Sequence, residues 1–135
     1  MPIMDRNTSH LAGEFLVAGE LARRGYPVSI TMGNAKSVDI YASTREEVIK
    51  VDAKAGRSKS DWPIMKDSIE KDQFYVLVFL QTKRGISRNL PPEYFIAKGE
   101  ELRPIVENWG TMQGIKYSSL DNETFKNRWD KLPPP

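Results

Sequence analysis

Two short apolar runs of the sequence, 38–43 and 48–53, carry charged side chains that strands facing a core usually lack. Asp39 lies in the first run, Asp52 lies near the end of the second, and Lys54 follows two residues later. Hard cations such as Mg²⁺ prefer carboxylate and carbonyl oxygens, and a lysine within reach can orient a metal-bound water or stabilise a negative transition state. These residue types suit a metal-dependent hydrolysis, provided that the fold brings them together.

A hairpin between the two runs would bring them together. With its turn centred on residues 45 and 46, Asp39 lies directly opposite Asp52, and Lys54 lies on the diagonal. Because side chains alternate between the two faces of a strand, Asp52 and Lys54 share one face. The other face takes the apolar residues of the second run, Ile49, Val51 and Ala53. Two like charges in opposed positions destabilise a strand pair by up to about 1 kcal/mol, and a cation bound between them reverses that effect.

The same charges also have a structural explanation. Lys50 and Lys54 could neutralise the two aspartates on a solvated face of the sheet, without any bound ion. A register shifted by one residue would separate Asp39 from Asp52, since such a slip moves every side chain to the other face. The spacing alone leaves the catalytic and the structural explanations open.

An amphipathic helix is predicted over residues 9–24, and Gly25 is its stop signal. Its apolar stripe consists of Leu11, Phe15, Ala18 and Ala22. Glu14 falls at the edge of this stripe, whereas Glu20 falls on the polar face. A glutamate that faces a sheet requires a partner, because an unpaired buried charge is costly. Glu14 is therefore a candidate for a metal site or its support, or else a flanking residue that reaches water or pairs with a lysine.

The rest of the pattern predicts an α/β (α+β) domain with a mixed central β-sheet flanked by helices. The almost wholly apolar run 74–80 predicts a central strand that is buried on both faces. The predicted order is α-β-β-β-(loop or α)-β-β-α-α. Besides the two runs already described, the predicted strands are 26–31, 74–80 and 93–97, and the predicted later helices lie around 100–109 and 119–129.

Composition limits the classes of protein that remain. The 135 residues, 39% hydrophobic and 28% charged with a net charge of +2, suit a single domain over 1–135. We expect an N-terminal arm at 1–8 and a C-terminal tail at 132–135, whose closing PPP is frayed. The absence of cysteine excludes disulfides and thiolate metal sites, and the single histidine, His10, argues against a His-rich zinc site. No run approaches the length of about 20 apolar residues that spans a bilayer, and no secretory signal is evident. We therefore expect a cytoplasmic protein that does not enter the membrane.

The order of these motifs resembles that of the PD-(D/E)XK nuclease superfamily, the restriction endonuclease-like fold. The superfamily has a helix with a glutamate, then an aspartate that ends a strand, then Asp or Glu, any residue and Lys on the next strand. The counterparts here are GEFLVAGELARRGY with Glu14, SVDIYA with Asp39, and VDAKAG with Asp52 and Lys54. This part of the pattern is most similar to that of archaeal Holliday junction resolvases, although no proline precedes Asp39 and an aspartate replaces their glutamate at position 52. The looser motifs DWPIM, FYVLVFL, PPEYFIA and KNRWDKL resemble those of small uncharacterised bacterial members of the superfamily.

The resemblance implies a restriction endonuclease-like core and a nuclease that hydrolyses phosphodiester bonds in DNA, including branched DNA. It implies that Asp39, Asp52 and the Ala53 backbone carbonyl bind Mg²⁺ or Mn²⁺. It further implies that Lys54 positions the attacking water and that Glu14 supports this metal or a second one. Resolvases act as dimers, so a homodimer is implied as well; the sequence does not distinguish DNA from RNA as the substrate.

Two basic groups are candidates for contact with the phosphate backbone. The first follows the second run, and Trp62 beside it could stack on a base or could anchor the segment in the core. The second lies after the central strand. The candidate nucleic-acid-binding residues are Lys50, Arg57, Lys59, Trp62, Lys66, Lys83 and Arg84, with Arg88 in the second group as well. Both groups could equally be solvated surface lysines and arginines.

Two other functions compete with the nuclease. One is a nucleic-acid-binding module that retains the nuclease fold but cleaves weakly or not at all. The other is an unrelated α/β protein in which the hairpin charges are structural and the partner is another protein.

Overall fold

The computed structural model describes residues 6–32, 38–56, 61–83, 86–87 and 90–135, without the side chains at 6–7, 32, 38–39, 83 and 86–87. The helices are α1 (Arg6–Arg23), α2 (Gly99–Leu102) and α3 (Tyr117–Leu120), with 3₁₀ turns at Lys66–Ser68, Arg103–Ile105 and Trp129–Lys131. The strands are β1 (Val28–Met32), β2 (Val38–Ser43), β3 (Val48–Gly56), β4 (Trp62–Pro63), β5 (Phe74–Phe79), β6 (Thr82–Lys83), β7 (Ile86–Ser87), β8 (Glu93–Lys98), β9 (Glu107–Trp109) and β10 (Met112–Ile115).

The central element is a five-stranded mixed sheet in the order β1-β2-β3-β5-β8. The first three strands form an antiparallel meander, β5 runs parallel to β3, and β8 runs antiparallel to β5. Every residue of β5 is buried, which confirms the prediction of a central strand covered on both faces. The prediction of a mixed α/β domain is also confirmed.

Helix α1 covers one face of this sheet. Val17, Ala18 and Leu21 on the helix are buried in one cluster with the inward residues of the strands. The strand residues of this cluster are Ile40, Ala42, Ile49, Val51, Phe74, Val76, Val78 and Ile96. Period-two alternation explains the selection, because each strand contributes every second residue.

A second layer covers only part of the other face. The small sheet β4-β10-β9, together with α2 and α3, packs on β5 and β8. Tyr75, Leu77 and Phe79 of β5 are buried there with Phe95 and Ala97 of β8. On the same face of the neighbouring strands, Tyr41, Asp52 and Lys54 are only half-buried and Lys50 is exposed. The face that carries Asp52 is therefore half covered and half open.

The C-terminal third differs from its prediction. The helix predicted over 100–109 ends at Leu102, because Pro104 allows only a 3₁₀ turn before β9 begins. The helix predicted over 119–129 is also wrong: α3 ends at Leu120, and the chain turns until the 3₁₀ turn at Trp129–Lys131. The small sheet was not predicted at all.

The structure also describes residues of both chain ends. The predicted arm at 1–8 is shorter, because α1 already begins at Arg6. At the other end of the chain, Leu132 of the predicted tail is buried, and the Tyr26 hydroxyl donates a hydrogen bond of 2.6 Å to the Pro133 carbonyl. Within the described residues, no helix combines the length and the apolar character that a membrane crossing requires.

The contact between α1 and β3 gives a stability prediction. A Cβ at Gly13 would lie 2.6 Å from the Ala55 Cβ, whereas a Cβ at Gly19 on the same helix would meet nothing within 4 Å. Overpacking costs about 1–3 kcal/mol, and alanine improves on glycine in a helix by about 1 kcal/mol. Gly19→Ala should therefore raise the free energy of unfolding, measured by urea denaturation.

Gly13→Ala should lower it relative to Gly19→Ala by about 1–3 kcal/mol. Equal stabilisation by the two substitutions would show that α1 does not approach β3 at this point.

Candidate active site

The β2–β3 hairpin fixes the relative positions of the candidate residues. Its turn is held by Thr44, whose N–H donates to the Glu47 carbonyl at 2.7 Å and whose Oγ accepts from the Glu47 N–H at 3.0 Å. The paired residues run from Ser43–Val48 to Ile40–Val51. This is the register that the sequence predicts, and one further step along it places position 39 opposite position 52.

The pairing of the described β2 and β3 residues ends at Ile40–Val51, although β3 continues to Gly56 alongside β5. In an antiparallel pair, every second residue points its N–H and C=O at the partner strand. Thr44 and Glu47 are a hydrogen-bonded pair, so every second pair along the hairpin is hydrogen-bonded, including Ile40–Val51. Ala53 is two residues beyond Val51, so its N–H and C=O point in the same direction as those of Val51. The Ala53 carbonyl therefore points toward the side of β2, just beyond the last pair.

Asp52 and Lys54 lie on the partly open face of β3. The Lys54 Nζ is 3.5 Å from a carboxylate oxygen of Asp52, and the two side chains are 39% and 34% exposed. Ile49 and Val51 are buried in the α1 cluster, and Ala53 packs against it, as the alternation predicts. The side chain of Asp39 lies outside the described part of the structure, whereas its backbone belongs to β2 and pairs with Thr31 of β1.

Tyr75 adjoins Asp52 and was not named from the sequence. It is the partner of Asp52 in the parallel β3–β5 register and is 2% exposed. Its hydroxyl oxygen accepts a hydrogen bond of 2.8 Å from the Glu70 N–H. Burial raises the pKa of the Tyr75 hydroxyl, and the negative charge of the Asp52 carboxylate adds to that rise. Asp52 therefore stands at the boundary between the open and the covered halves of the sheet face.

Glu14 approaches β3 from the other face. Gly13 lies directly against Ala55, two residues beyond Ala53, and Glu14 is the next helix residue. The Glu14 side chain is half-buried, and its Oε2 atom is shielded from solvent. Glu14 thus lies on the α1 side of the sheet, next to the helix residue that meets Ala55 of β3.

The oxygens near this place suit a hard divalent cation such as Mg²⁺ or Mn²⁺. The Asp52 carboxylate and the Ala53 carbonyl come from adjacent residues, and position 39 lies across from them. Among the side chains that the structure describes, no group of three or more His, Cys, Asp or Glu residues converges on one point. The carboxylate of Asp39 lies outside the described side chains.

The predicted nucleic-acid-binding residues have different outcomes. Lys50, on the face of Asp52, and Lys66, in a 3₁₀ turn, are both exposed. Arg57, Lys59, Arg84 and Arg88 lie outside the described residues, and of Lys83 only the backbone is described, in β6.

The base-stacking prediction for Trp62 is wrong, because its ring is 2% exposed. Trp62 stacks on Tyr117, with ring centroids 6.2 Å apart, and its Nε1–H donates to the Val78 carbonyl at 3.3 Å. The alternative role, an anchor in the core, is confirmed.

Comparisons with models of known families, with curated proteins and with solved structures found no match.

The burial of Trp62 predicts a loss of stability on substitution. Trp62→Phe removes the donor to the buried Val78 carbonyl and leaves a cavity, so the free energy of unfolding should fall by about 1–3 kcal/mol. Urea denaturation measures this change. A variant with unchanged stability but weaker binding to DNA would instead support the base-stacking role.

Proposed function

We propose that this protein is a metal-dependent nuclease of the PD-(D/E)XK type, which hydrolyses phosphodiester bonds in DNA. The observation that carries the proposal is the β2–β3 register, whose last pair is Ile40–Val51, one step before positions 39 and 52. Two opposed carboxylates repel each other, and a divalent cation bound between them turns this repulsion into a net attraction.

The arrangement of elements supports the proposal. Helix α1 precedes an antiparallel meander of three strands, and β5 then joins β3 in parallel. A helix followed by three strands and then a further strand is the chain order that the resemblance implies; the parallel pairing of β5 with β3 was not part of that expectation. The described part of the connection between β3 and β5 contains β4 and a 3₁₀ turn in place of a longer helix.

In this proposal, Asp39, Asp52 and the Ala53 carbonyl hold Mg²⁺ or Mn²⁺. The bound ion supplies Lewis-acid stabilisation of charge on the phosphodiester oxygens and lowers the pKa of a water molecule. The residues of the hairpin bind and align the ion because β3 projects Asp52 on the open face and directs the Ala53 carbonyl toward β2.

Lys54 has the second role. Its ammonium carries three N–H donors, which can orient the attacking water and stabilise the negative charge that develops on the phosphate. The contact of 3.5 Å with Asp52 keeps the Lys54 ammonium beside the proposed ion site. Glu14, on the α1 side of the sheet, supports the ion from the other face.

One observation favours the second candidate, a binding module without strong cleavage. Lys54 already balances the charge of Asp52 through their ion pair, with no ion required. In that case the protein would bind DNA and hold it without hydrolysis.

A cleavage assay with matched variants tests the proposal. Asp52→Asn and Lys54→Ala should each reduce cleavage of supercoiled plasmid and branched DNA in Mg²⁺ or Mn²⁺ by at least about 100-fold. Asp52→Asn weakens the hold on the ion, and Lys54→Ala removes the ammonium that stabilises transition-state charge. Stability should change by no more than about 1 kcal/mol, since both side chains of the pair keep more than a third of their surface in solvent.

The matched controls are Glu107→Gln and Lys116→Ala, which break another exposed ion pair, 3.3 Å long. These controls should cleave as the wild type does. Metal-dependent cleavage that survives both Asp52→Asn and Lys54→Ala would reject the proposed site. Binding of DNA without any metal-dependent cleavage would favour the binding module.

A further inference from the structure

The second layer leaves an open strip on the sheet face that carries Asp52. We define the open strip as six residues of β1–β3 on this face, Ser29, Thr31, Tyr41, Lys50, Asp52 and Lys54. By alternation and register, positions 39, 43 and 48 share this face. Of the six residues of the open strip, Ser29, Thr31 and Lys50 are exposed, and the others are half-buried. Tyr75 and Trp62 form its inner border. Tyr75 is buried beneath the second layer, and the Trp62 Nε1 lies 3.2 Å from the position that a Cβ at Gly56 would occupy.

One row of side chains crosses the open strip beside Asp52. Ser29 is the register partner of Tyr41, and Tyr41 is the partner of Lys50. Directly paired residues project on the same face, so these three side chains stand in line across the strands. Lys50 is two residues before Asp52 on β3, a separation of about 6.8 Å along the strand. One nucleotide of an extended backbone covers a similar length.

The charges along β3 are complementary to a polyanion. Lys50 and Lys54 stand on either side of Asp52 on the open face, so an ammonium group lies at each side of the proposed ion site. The half-buried Tyr41 adds an aromatic ring next to Lys50. Aromatic rings on an open sheet face, together with basic side chains, are typical of surfaces that bind single strands.

The width of the open strip favours a single strand over a duplex. Three strands at their usual spacing span about 10 Å, whereas a DNA duplex is wider than its own major groove of about 12 Å. The second layer begins at β5, the strand next to β3, because Tyr75, the register partner of Asp52, is already buried beneath it. A duplex that lay here would extend over the β1 edge, and the second layer would hold it away from Asp52.

We propose that the open strip binds an unpaired strand of DNA, with a base stacked on Tyr41 and a phosphate held by Lys50 one nucleotide from the cleaved bond. This inference rests on the proposed function for the identity of the polymer. It adds a substrate class, single-stranded DNA or an unpaired segment of branched or supercoiled DNA. It also adds a binding residue, Tyr41, that the resemblance does not supply.

Binding in EDTA tests the inference separately from cleavage. Fluorescence anisotropy compares a labelled single-stranded oligonucleotide with a duplex of the same sequence. The wild type should bind the single strand more tightly. Tyr41→Val, which keeps a residue suited to a strand but removes the ring, should raise the Kd for the single strand at least about fivefold, and Tyr41→Phe should keep it near the wild-type value.

Lys50→Ala should also weaken binding, more strongly at low salt than at high salt. The controls are Phe15→Ala, an aromatic that is 51% exposed but lies on α1, and Lys116→Ala, an exposed lysine outside the open strip. Both controls should bind as the wild type does. Circular dichroism confirms that each variant is folded, and Lys50→Ala and Tyr41→Phe remain informative if Tyr41→Val unfolds.

Equal affinity for single strand and duplex, or an unchanged Kd for Tyr41→Val or Lys50→Ala, would overturn the inference. Its failure is distinct from that of the proposed function. If Tyr41→Val cleaves DNA as the wild type does, the proposed nuclease activity stands and the open strip is rejected as its substrate surface. Tyr41-dependent binding of single strands without any cleavage would support the open strip and reject the nuclease.

Discussion

The alternation of side chains along the β2–β3 hairpin governs the rest of this structure. Ile40, Ala42, Ile49 and Val51 are buried against α1, and the register between the strands pairs Ile40 with Val51 and Ala42 with Ile49. A slip of one residue would bury Lys50 and Asp52 in the apolar layer beneath α1, at a cost of several kcal/mol for each unpaired charge. The core thereby forces the charged residues of β3 onto the other face.

Because the second layer covers only part of this sheet face, the charged residues of β3 lie in a partly buried environment. The second layer buries β5 and β8 beneath Trp62, Ile115 and Leu120 but leaves β2 and β3 in contact with solvent. Asp52 stands at the border, with the buried Tyr75 on one side and open strand surface on the other. Partial burial strengthens the electrostatic interactions of a carboxylate, while the open side still admits a phosphate. A fully covered face would exclude a polymer, and a fully open one would leave every charge screened by water.

The hairpin and the central strand could be predicted from the sequence because their sequence signals are local. Alternating apolar residues, a polar turn at 45–46 and the run 74–80 each specify one element without reference to the rest of the chain. The small sheet had no such signal: β4 has two residues, and it pairs with β10 across about fifty residues of chain. Gly110, with φ +67°, marks the turn between β9 and β10 and could have suggested that hairpin.

The candidate site shows the same division between local and distant information. Position 39 opposite position 52 follows from the turn alone, and alternation alone places Lys54 beside Asp52. The roles of Tyr75 and Trp62 depend on the parallel pairing of β5 with β3 and on the second layer, which no local pattern specifies. The place of Tyr41 in the open strip has a local signal, since it is two residues from Asp39 and thus of the same parity, but its exposure depends on where the second layer ends.

The central claim is that positions 39 and 52 hold a divalent cation together. Anomalous diffraction from a crystal soaked in Mn²⁺ measures this most directly. One anomalous peak is expected. It should lie within about 2.5 Å of a carboxylate oxygen of Asp39, a carboxylate oxygen of Asp52 and the Ala53 carbonyl oxygen. A crystal with no peak there at saturating Mn²⁺, and with Asp52 still paired to Lys54, would contradict the claim.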